Sequence, residues 1–375
     1  GQLVSLVGSW TQLTALMWLA HQQTDSARWP AFLAAVQIGP TFFLGPWGGI
    51  LADRVCRQSL IVRTQTAFLL CAVALLVLHD AGLLTVWAML GVMFAHGIVQ
   101  AVDLPTRLAF IPALVERDDL SNAIALNSVL FNVARAIGPA LAAALLVSVG
   151  PAWCFYLNSL SYGAVLVALV LIRVPAATGV AAPPSPGGGF RVLARQPGLL
   201  ALVLVAGLVA IGGWPLLPLL PSVAAKELGH GEGAYGTLLS AVGIGALAAA
   251  LTAATFGNDV RRKVVLIAGL ALVAGALLVL SATHALSVAT GCCVVFGFGM
   301  ILFFATGQSA VQLGTADADR GKVMGIWAMM LSAGVPLGNL VFGPAADEYG
   351  VSNVIAVQAA AIAVATGIVM ARRVE

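Results

Sequence analysis

Charge is scarce in this chain. Asp, Glu, Lys and Arg make up 9% of 375 residues, against 60% hydrophobic residues and a mean hydropathy of +1.00. A soluble domain carries about 25% charged residues, so a water-facing globular surface is excluded. Cysteine is also sparse. The five residues Cys56, Cys71, Cys154, Cys292 and Cys293 are odd in number and show no metal-ligand spacing, so they read as small hydrophobes in helix packing. No H-E-x-x-H, G-x-S-x-G or P-loop pattern occurs, and with those patterns go the enzyme classes they mark. The net charge of +3 is too small and too scattered to indicate a nucleic-acid partner. No metal or cofactor is expected.

What remains is apolar sequence in long blocks. A spanning helix needs roughly 20 mostly apolar residues, and twelve such blocks can be read: 1–22, 30–52, 59–79, 84–104, 121–147, 152–173, 199–221, 233–256, 263–281, 286–310, 322–345 and 350–371. Backbone groups in lipid must bond within their own segment, and the short alternating segments of a membrane barrel are missing. The predicted fold is an all-α membrane protein with twelve transmembrane helices. Block one carries Ser5, Ser9 and Gln12 and reads as a permanent helix rather than a signal peptide.

The few charges set a predicted topology. With both termini cytoplasmic, Arg28 and Lys226 alone fall in outer loops and Arg135 alone lies inside a block. The other fifteen of the eighteen basic residues face the cytoplasm, as the positive-inside rule requires. Asp25, Asp347 and Glu348 fall in the outer loops. The expected location is a bacterial plasma (inner) membrane, multi-pass, with the lipid bilayer as solvent and a monomer as the expected state.

Residues 174–198, rich in Pro, Gly and Ala, read as a flexible cytoplasmic linker. They divide a first six-block half, 1–173, from a second, 199–375. The halves repeat one another. ADRVCRQSLIV at 52–62 parallels GNDVRRKVVLI at 257–267, while Gly138, Gly150 and Asp119 match Gly338, Gly350 and Asp319 at an offset of 200. Fixed-offset similarity indicates duplication, and two six-helix units in parallel orientation are one known transporter arrangement.

The loop GGILADRVCRQ (48–58) resembles a signature of the major facilitator superfamily, with Gly48, Leu51, Asp53, Arg54 and Arg57 in place and Cys56 and Gln58 departing from it. The resemblance implies a gating turn made by Gly48, Asp53, Arg54 and Arg57. ARAIGPALAA (134–143) resembles the antiporter signature of drug exporters in that superfamily through Gly138 and Pro139. MLSAGVPLGNLVFG (330–343) repeats its chemistry. The longer run DLPTRLAFIPALVERDDLSNAIALNSVLFNVARAIGPALA is similar to the enterobactin-exporter-like branch, which includes exporters of siderophores and drugs. One departure concerns coupling. Where many proton-coupled members carry Arg in the fourth helix, this chain has Met93, and His96 stands at the Gln position.

Ionisable residues at membrane depth usually face a cavity. Block four presents His96, Gln100, Asp103 and Arg107 on one helical face, and block five presents Ser128, Asn132 and Arg135. Block one offers Gln12, block seven Trp214 between Gly213 and Pro215, and block ten Gln308 and Gln312. The resemblance implies that blocks one, four, seven and ten line a central cavity, so the expected substrate contacts are Gln12, His96, Gln100, Arg135, Trp214, Gln308 and Gln312. His96 and Asp103 are the expected coupling groups, although Asp103 is equally suited to a structural pair with Arg107 one turn away. No carboxylate is found at the depth of Arg135. Its guanidinium must lean towards Asp103, be tied by polar groups for structural reasons, or be satisfied by water and substrate.

These features predict a secondary transporter that exports a siderophore-like or other amphipathic small molecule, anionic or catechol-like, by alternating access and with protons as coupling ion. The alternatives within transport are a broad multidrug or lipid-type exporter. A receptor or sensor retaining the fold is the alternative of another class. The ending ARRVE, close after block twelve, is read against it. The first block carries no carboxylate, so lipophilic cations are expected to be poor substrates.

Overall fold

A computed structural model of the chain describes residues 2–110, 120–171, 189–256 and 262–371. All regular structure among them is helical. The first six helices are α1 (Gln2–Thr24), α2 (Arg28–Arg54), α3 (Arg57–Asp80), α4 (Val86–Phe110), α5 (Leu120–Ser148) and α6 (Ala152–Leu171). A short α7 (Gly189–Ala194) leads to α8 (Pro197–Gly213) and α9 (Leu216–Ser222), which ends in a π-turn over Val223–Glu227. The remainder are α10 (Glu232–Phe256), α11 (Arg262–Ala282), α12 (Leu286–Leu313), α13 (Asp317–Tyr349) and α14 (Val351–Ala371).

Eleven helical segments among the described residues are long and apolar enough to cross a membrane, α8, α9 and the π-turn counting as one. The remaining long helix, α2, has 27 residues and contains Pro40 and Pro46. At about 1.5 Å per residue it too exceeds the roughly 30 Å hydrocarbon core, consistent with the twelve predicted spans. The predicted flexible linker is partly ordered. α7 packs on α13, a Cβ on Gly189 would lie 2.8 Å from the Lys322 carbonyl oxygen, and Leu193 is buried. Its apolar side chains find cover that composition alone does not reveal. The rest of that linker, 174–188, and Asp119 lie outside the described residues.

Within the N-terminal half α1 packs on α5 and α6, α2 on α4, and α3 on α4 and α6. In the C-terminal half α10 packs on α12, α8 on α13 and α14, and α11 on α12 and α14. The halves meet along α2–α13 and α5–α10. Apolar helices in lipid associate through close van der Waals approach, which small residues permit. At the α5–α10 crossing, a Cβ on Gly243 would stand 2.5 Å from Ala136 Cα and 2.6 Å from the Arg135 carbonyl oxygen. Only glycine lets the two halves touch there.

One end of the bundle is tied across the halves. The Asp347 carboxylate at the end of α13 accepts from the Ser26 hydroxyl and from the Ala27 N–H (2.7 Å), and Arg28 Nε lies 3.6 Å away. Ala27 is the residue preceding α2 and has no polar side chain to cap it. Asp347 therefore supplies the cap from the other half and meets the positive end of the α2 dipole. Beside it, Lys226 Nζ donates to the Asp25 carbonyl (2.7 Å) and lies 3.3 Å from its carboxylate, and His21 Nδ1 is 3.1 Å from Ser222 Oγ. Residues predicted to share one face of the membrane thus share one end of the molecule.

Candidate functional site

The helices of the N-terminal half line an open cavity of about 370 Å³. Leu6, Leu13, Ile38, Met93 and Leu104 form apolar stretches of its wall, and the polar remainder comes from the five helices α1, α2, α4, α5 and α6. α1 contributes Gln12, which is 4% exposed and accepts a hydrogen bond from Asn158 Nδ2 of α6 (2.9 Å). One turn earlier Ser9 Oγ is 3.0 Å from the Tyr162 hydroxyl, and at the start of α1 Gln2 Nε2 donates to Asn127 Oδ1 of α5 (2.7 Å). Glutamine and asparagine are tolerated at this depth because each is paired with a partner on another helix.

The predicted polar face of α4 does line this cavity. His96, Gln100, Asp103 and Arg107 all reach its wall. Asp103 is 4% exposed, and its oxygens are taken by Thr64 Oγ1 (2.6 Å), Gln65 Nε2 (2.9 Å) and the Arg107 guanidinium (2.6 and 3.2 Å). This carboxylate, held by three donors from two helices, ties α3 to α4, and its Arg107 partner stands at the i,i+4 spacing. His96 differs. Its ring lies 4.5 Å from the Phe68 ring, and its Nδ1, like Gln100 Oε1, is buried with no hydrogen-bond partner within the protein. A buried polar atom left unpaired costs about 1–3 kcal/mol, and His96 and Gln100, which carry these two atoms, both line the cavity.

Four expected contact residues stand outside this cavity. Arg135 is 5% exposed and does not approach Asp103, whose oxygens are occupied. Its NH2 donates to Asn132 Oδ1 (3.1 Å), Nε has no partner, and the guanidinium carbon sits 5.5 Å from the Phe131 ring, 5.9 Å from Trp10 and 5.7 Å from Trp214. Trp214 belongs to the C-terminal half, where it stacks on Phe304 at 6.1 Å, and Phe304 meets Trp327 edge-on. Gln308 is exposed and Gln312 half-exposed in the last turns of α12. Arg135, Trp214, Gln308 and Gln312 thus lie outside the cavity of the N-terminal half. Where α12 could present polar groups it carries Phe303 and Phe304, which are buried in aromatic packing.

The predicted signature residues are placed by helix packing. A Cβ on Gly48 would fall 2.2 Å from the Ala101 carbonyl oxygen, so Gly48 is where α2 crosses α4. Arg54 is exposed and Arg57 half-buried, and the Asp53 side chain, like that of Ser128, lies outside the described residues. A Cβ on Gly138 would fall 2.4 Å from Trp10 Cβ, and the Gly138 carbonyl accepts from the Thr11 hydroxyl (3.1 Å). The Pro139 carbonyl faces Gly236 of α10 at 2.9 Å from a Cβ placed there. Gly138–Pro139 thus joins α1 on one side of α5 and the opposite half on the other.

Sequence reasoning missed Asn158 and Tyr162 of α6, Thr64 and Gln65 of α3, and the aromatic walls Trp10 and Phe131. A signal was present for α6, whose run Asn158-Ser159-Leu160-Ser161-Tyr162 is polar for a membrane block. Periodicity finds a polar face but does not say which neighbour it meets.

The sequence matches the family described as transmembrane secretion effector over residues 1–375. It is 22% identical over 365 residues to the staphyloferrin A transporter of Staphylococcus aureus, covering 92% of this chain and 87% of that relative. It is 25% identical over 341 residues to the enterobactin exporter EntS of Citrobacter koseri (86% and 78% covered) and 24% identical over 367 residues to macrolide efflux protein A of Streptococcus pyogenes (94% and 89%). Among solved structures, a bacterial homologue of the human lysosomal transporter Spinster, inward-facing and unoccupied, superposes with a TM-score of 0.77 at 15% identity, covering 99% of this chain and 95% of the other. The nucleoside transporter NupG gives 0.75 at 14% identity with 99% of both chains covered. The chain belongs to the transmembrane secretion effector family of the major facilitator superfamily, and it is a multi-pass membrane transporter of small molecules rather than an enzyme.

Proposed function

We propose that this transporter exports an amphipathic, siderophore-like small molecule bearing an anionic or catechol-like group, and that inward proton movement drives the export. The observation that carries this reading is the chemistry of the cavity wall. Among the lining residues described, Asp103 is the one carboxylate, and three donors already hold it. The wall therefore has no free negative charge for a lipophilic cation, but many neutral donors and acceptors set between apolar stretches. That combination suits a solute rich in hydroxyl, amide or catechol groups. Relatives named for staphyloferrin A and enterobactin support the same class.

His96 is the proposed proton carrier, because the residue lines the cavity with its Nδ1 unpaired within the protein and histidine titrates nearest neutrality. Residues 1–173 and 199–375 are the proposed rocking halves, joined through 174–198, in a monomer with both termini on the cytoplasmic face of a bacterial inner membrane. The tied end carrying Asp25, Lys226 and Asp347 then faces outward, and the arrangement described is inward-facing. The macrolide efflux relative and the apolar wall favour one second reading, a broader range of amphipathic drugs.

The test is flux into inverted membrane vesicles, with a catecholate siderophore, a macrolide and a lipophilic cation, with and without an imposed pH gradient. Gradient-driven uptake of the siderophore, with the cation left behind, is expected. Uptake of the cation alone, or siderophore flux indifferent to the gradient, would overturn the reading.

A further inference from the structure

Behind the cavity wall stands a cation whose surroundings are unusual for a membrane interior. Arg135 is 5% exposed, yet it has no ion pair among the described residues and a single hydrogen bond, to Asn132. A guanidinium offers five N–H donors in a planar fork. Here that fork faces three aromatic rings, which attract a cation but accept no conventional hydrogen bond, and Nε remains unpartnered. Such a site is held together without being satisfied.

Its walls have different owners. Trp10 and Phe131 come from the same half as Arg135, and both also line the polar cavity, with Phe131 42% exposed. The cage therefore abuts the space where a ligand would sit. The third wall, Trp214, comes from the opposite half. It stands between α8 and α9 at the Gly213–Trp214–Pro215 interruption, and stacking on Phe304 fixes its ring. The backbone of Arg135 itself abuts Gly243 of α10, where the halves cross. A shift of the Arg135 side chain towards the cavity would leave Trp214 and remove a contact between the halves.

We propose that Arg135 is the anion-recognition residue of the transport site, and that Trp214 occupies the guanidinium until a carboxylate or catecholate of the substrate displaces it. The inference rests on the reading that the cavity admits an amphipathic ligand, and it adds which residue sets charge specificity and how occupancy is reported to the other half. A bidentate charge-assisted pair fills the fork as the rings cannot. The exchange loosens the bundle at its central crossing when, and only when, an anion is present, and a ligand shifts a conformational equilibrium only through such differential contact.

The test compares two probes of nearly one shape, 2,3-dihydroxybenzoate and its neutral amide, binding to the purified full chain in nanodiscs. Wild type is expected to prefer the benzoate by about tenfold, the equivalent of about 1.4 kcal/mol. Arg135→Gln should abolish that preference and leave amide affinity unchanged, while Arg135→Lys, a point charge without the fork, should keep part of it. Trp214→Leu should tighten benzoate binding alone. The proposal is overturned by absence of charge preference in wild type, by a preference that survives Arg135→Gln, or by benzoate affinity indifferent to Trp214→Leu. If Arg135→Gln does not fold, the Lys and Trp214 variants decide. Binding with the stated charge preference but without vesicle flux would reject export while leaving this inference standing.

Discussion

Replacing Asp347 by alanine should open the tied end of the bundle. In the closed arrangement its carboxylate accepts from the Ser26 hydroxyl and the Ala27 N–H (2.7 Å), with Arg28 Nε 3.6 Å away. Hydrogen bonds to a charged group contribute about 1.5–3 kcal/mol each, and a carboxylate at a helix N-terminus about 0.3–1 kcal/mol. The Arg28 side chain is 47% exposed, so that pair adds little in water. Opening lets water replace all these contacts, which leaves a net difference near one charged hydrogen bond. Loss of about 2 kcal/mol moves the closed-to-open ratio by a factor of about 30. Asp347→Asn keeps one acceptor without the charge and should produce roughly half the effect in free energy, about 1 kcal/mol. The measurement is a distance distribution between spin labels at Gln22 and Glu348, both exposed and on opposite halves at this end, with the five native cysteines replaced. A new long-distance population is expected in Asp347→Ala and a smaller one in Asp347→Asn. An unchanged distribution in Asp347→Ala would refute the inter-half cap.

Two further predictions concern buried structure. Asp103→Asn removes the charge that holds Arg107 and should lower stability by about 2 kcal/mol, the low end for a charged hydrogen bond because the Arg107 side chain is 29% exposed. Thermal unfolding should show that loss while vesicle flux keeps its dependence on the pH gradient, and disappearance of that dependence would instead make Asp103 the proton carrier. Gly243→Ala places a methyl 2.5 Å from Ala136 Cα. Overpacking of this kind costs about 1–3 kcal/mol, so stability and flux should both fall, whereas Gly291→Ala, with nothing within 4 Å of the new methyl, should match wild type in both assays.

Much of the architecture was legible before any coordinates. Blocks of apolar residues locate helices because hydrophobic length is a local property, and the bilayer leaves the backbone no other solution. The Asp103–Arg107 pair was legible for the same reason, since both partners lie one turn apart on one helix. The polar face of α4 was legible as a face. That Thr64 and Gln65 of α3 complete the Asp103 site was not, because nothing in one helix's periodicity names the helix beside it. Gln308 and Gln312 show the converse. They were polar and on the expected block, but the neighbouring turns of α12 are filled by Phe303 and Phe304, and the glutamines fall beyond the cavity.

The sequence by itself determined the solvent, the helices and the identity of the polar residues kept inside the membrane. The tertiary structure decided which of them meet. It set Asp347 of α13 on the first turn of α2, three donors on Asp103, and a tryptophan from one half against the arginine of the other. The physical reason is that helix formation in lipid is settled by interactions within about 4 residues of each other, whereas these pairings depend on how the close approaches at Gly48, Gly138 and Gly243 align helices that are far apart in the chain.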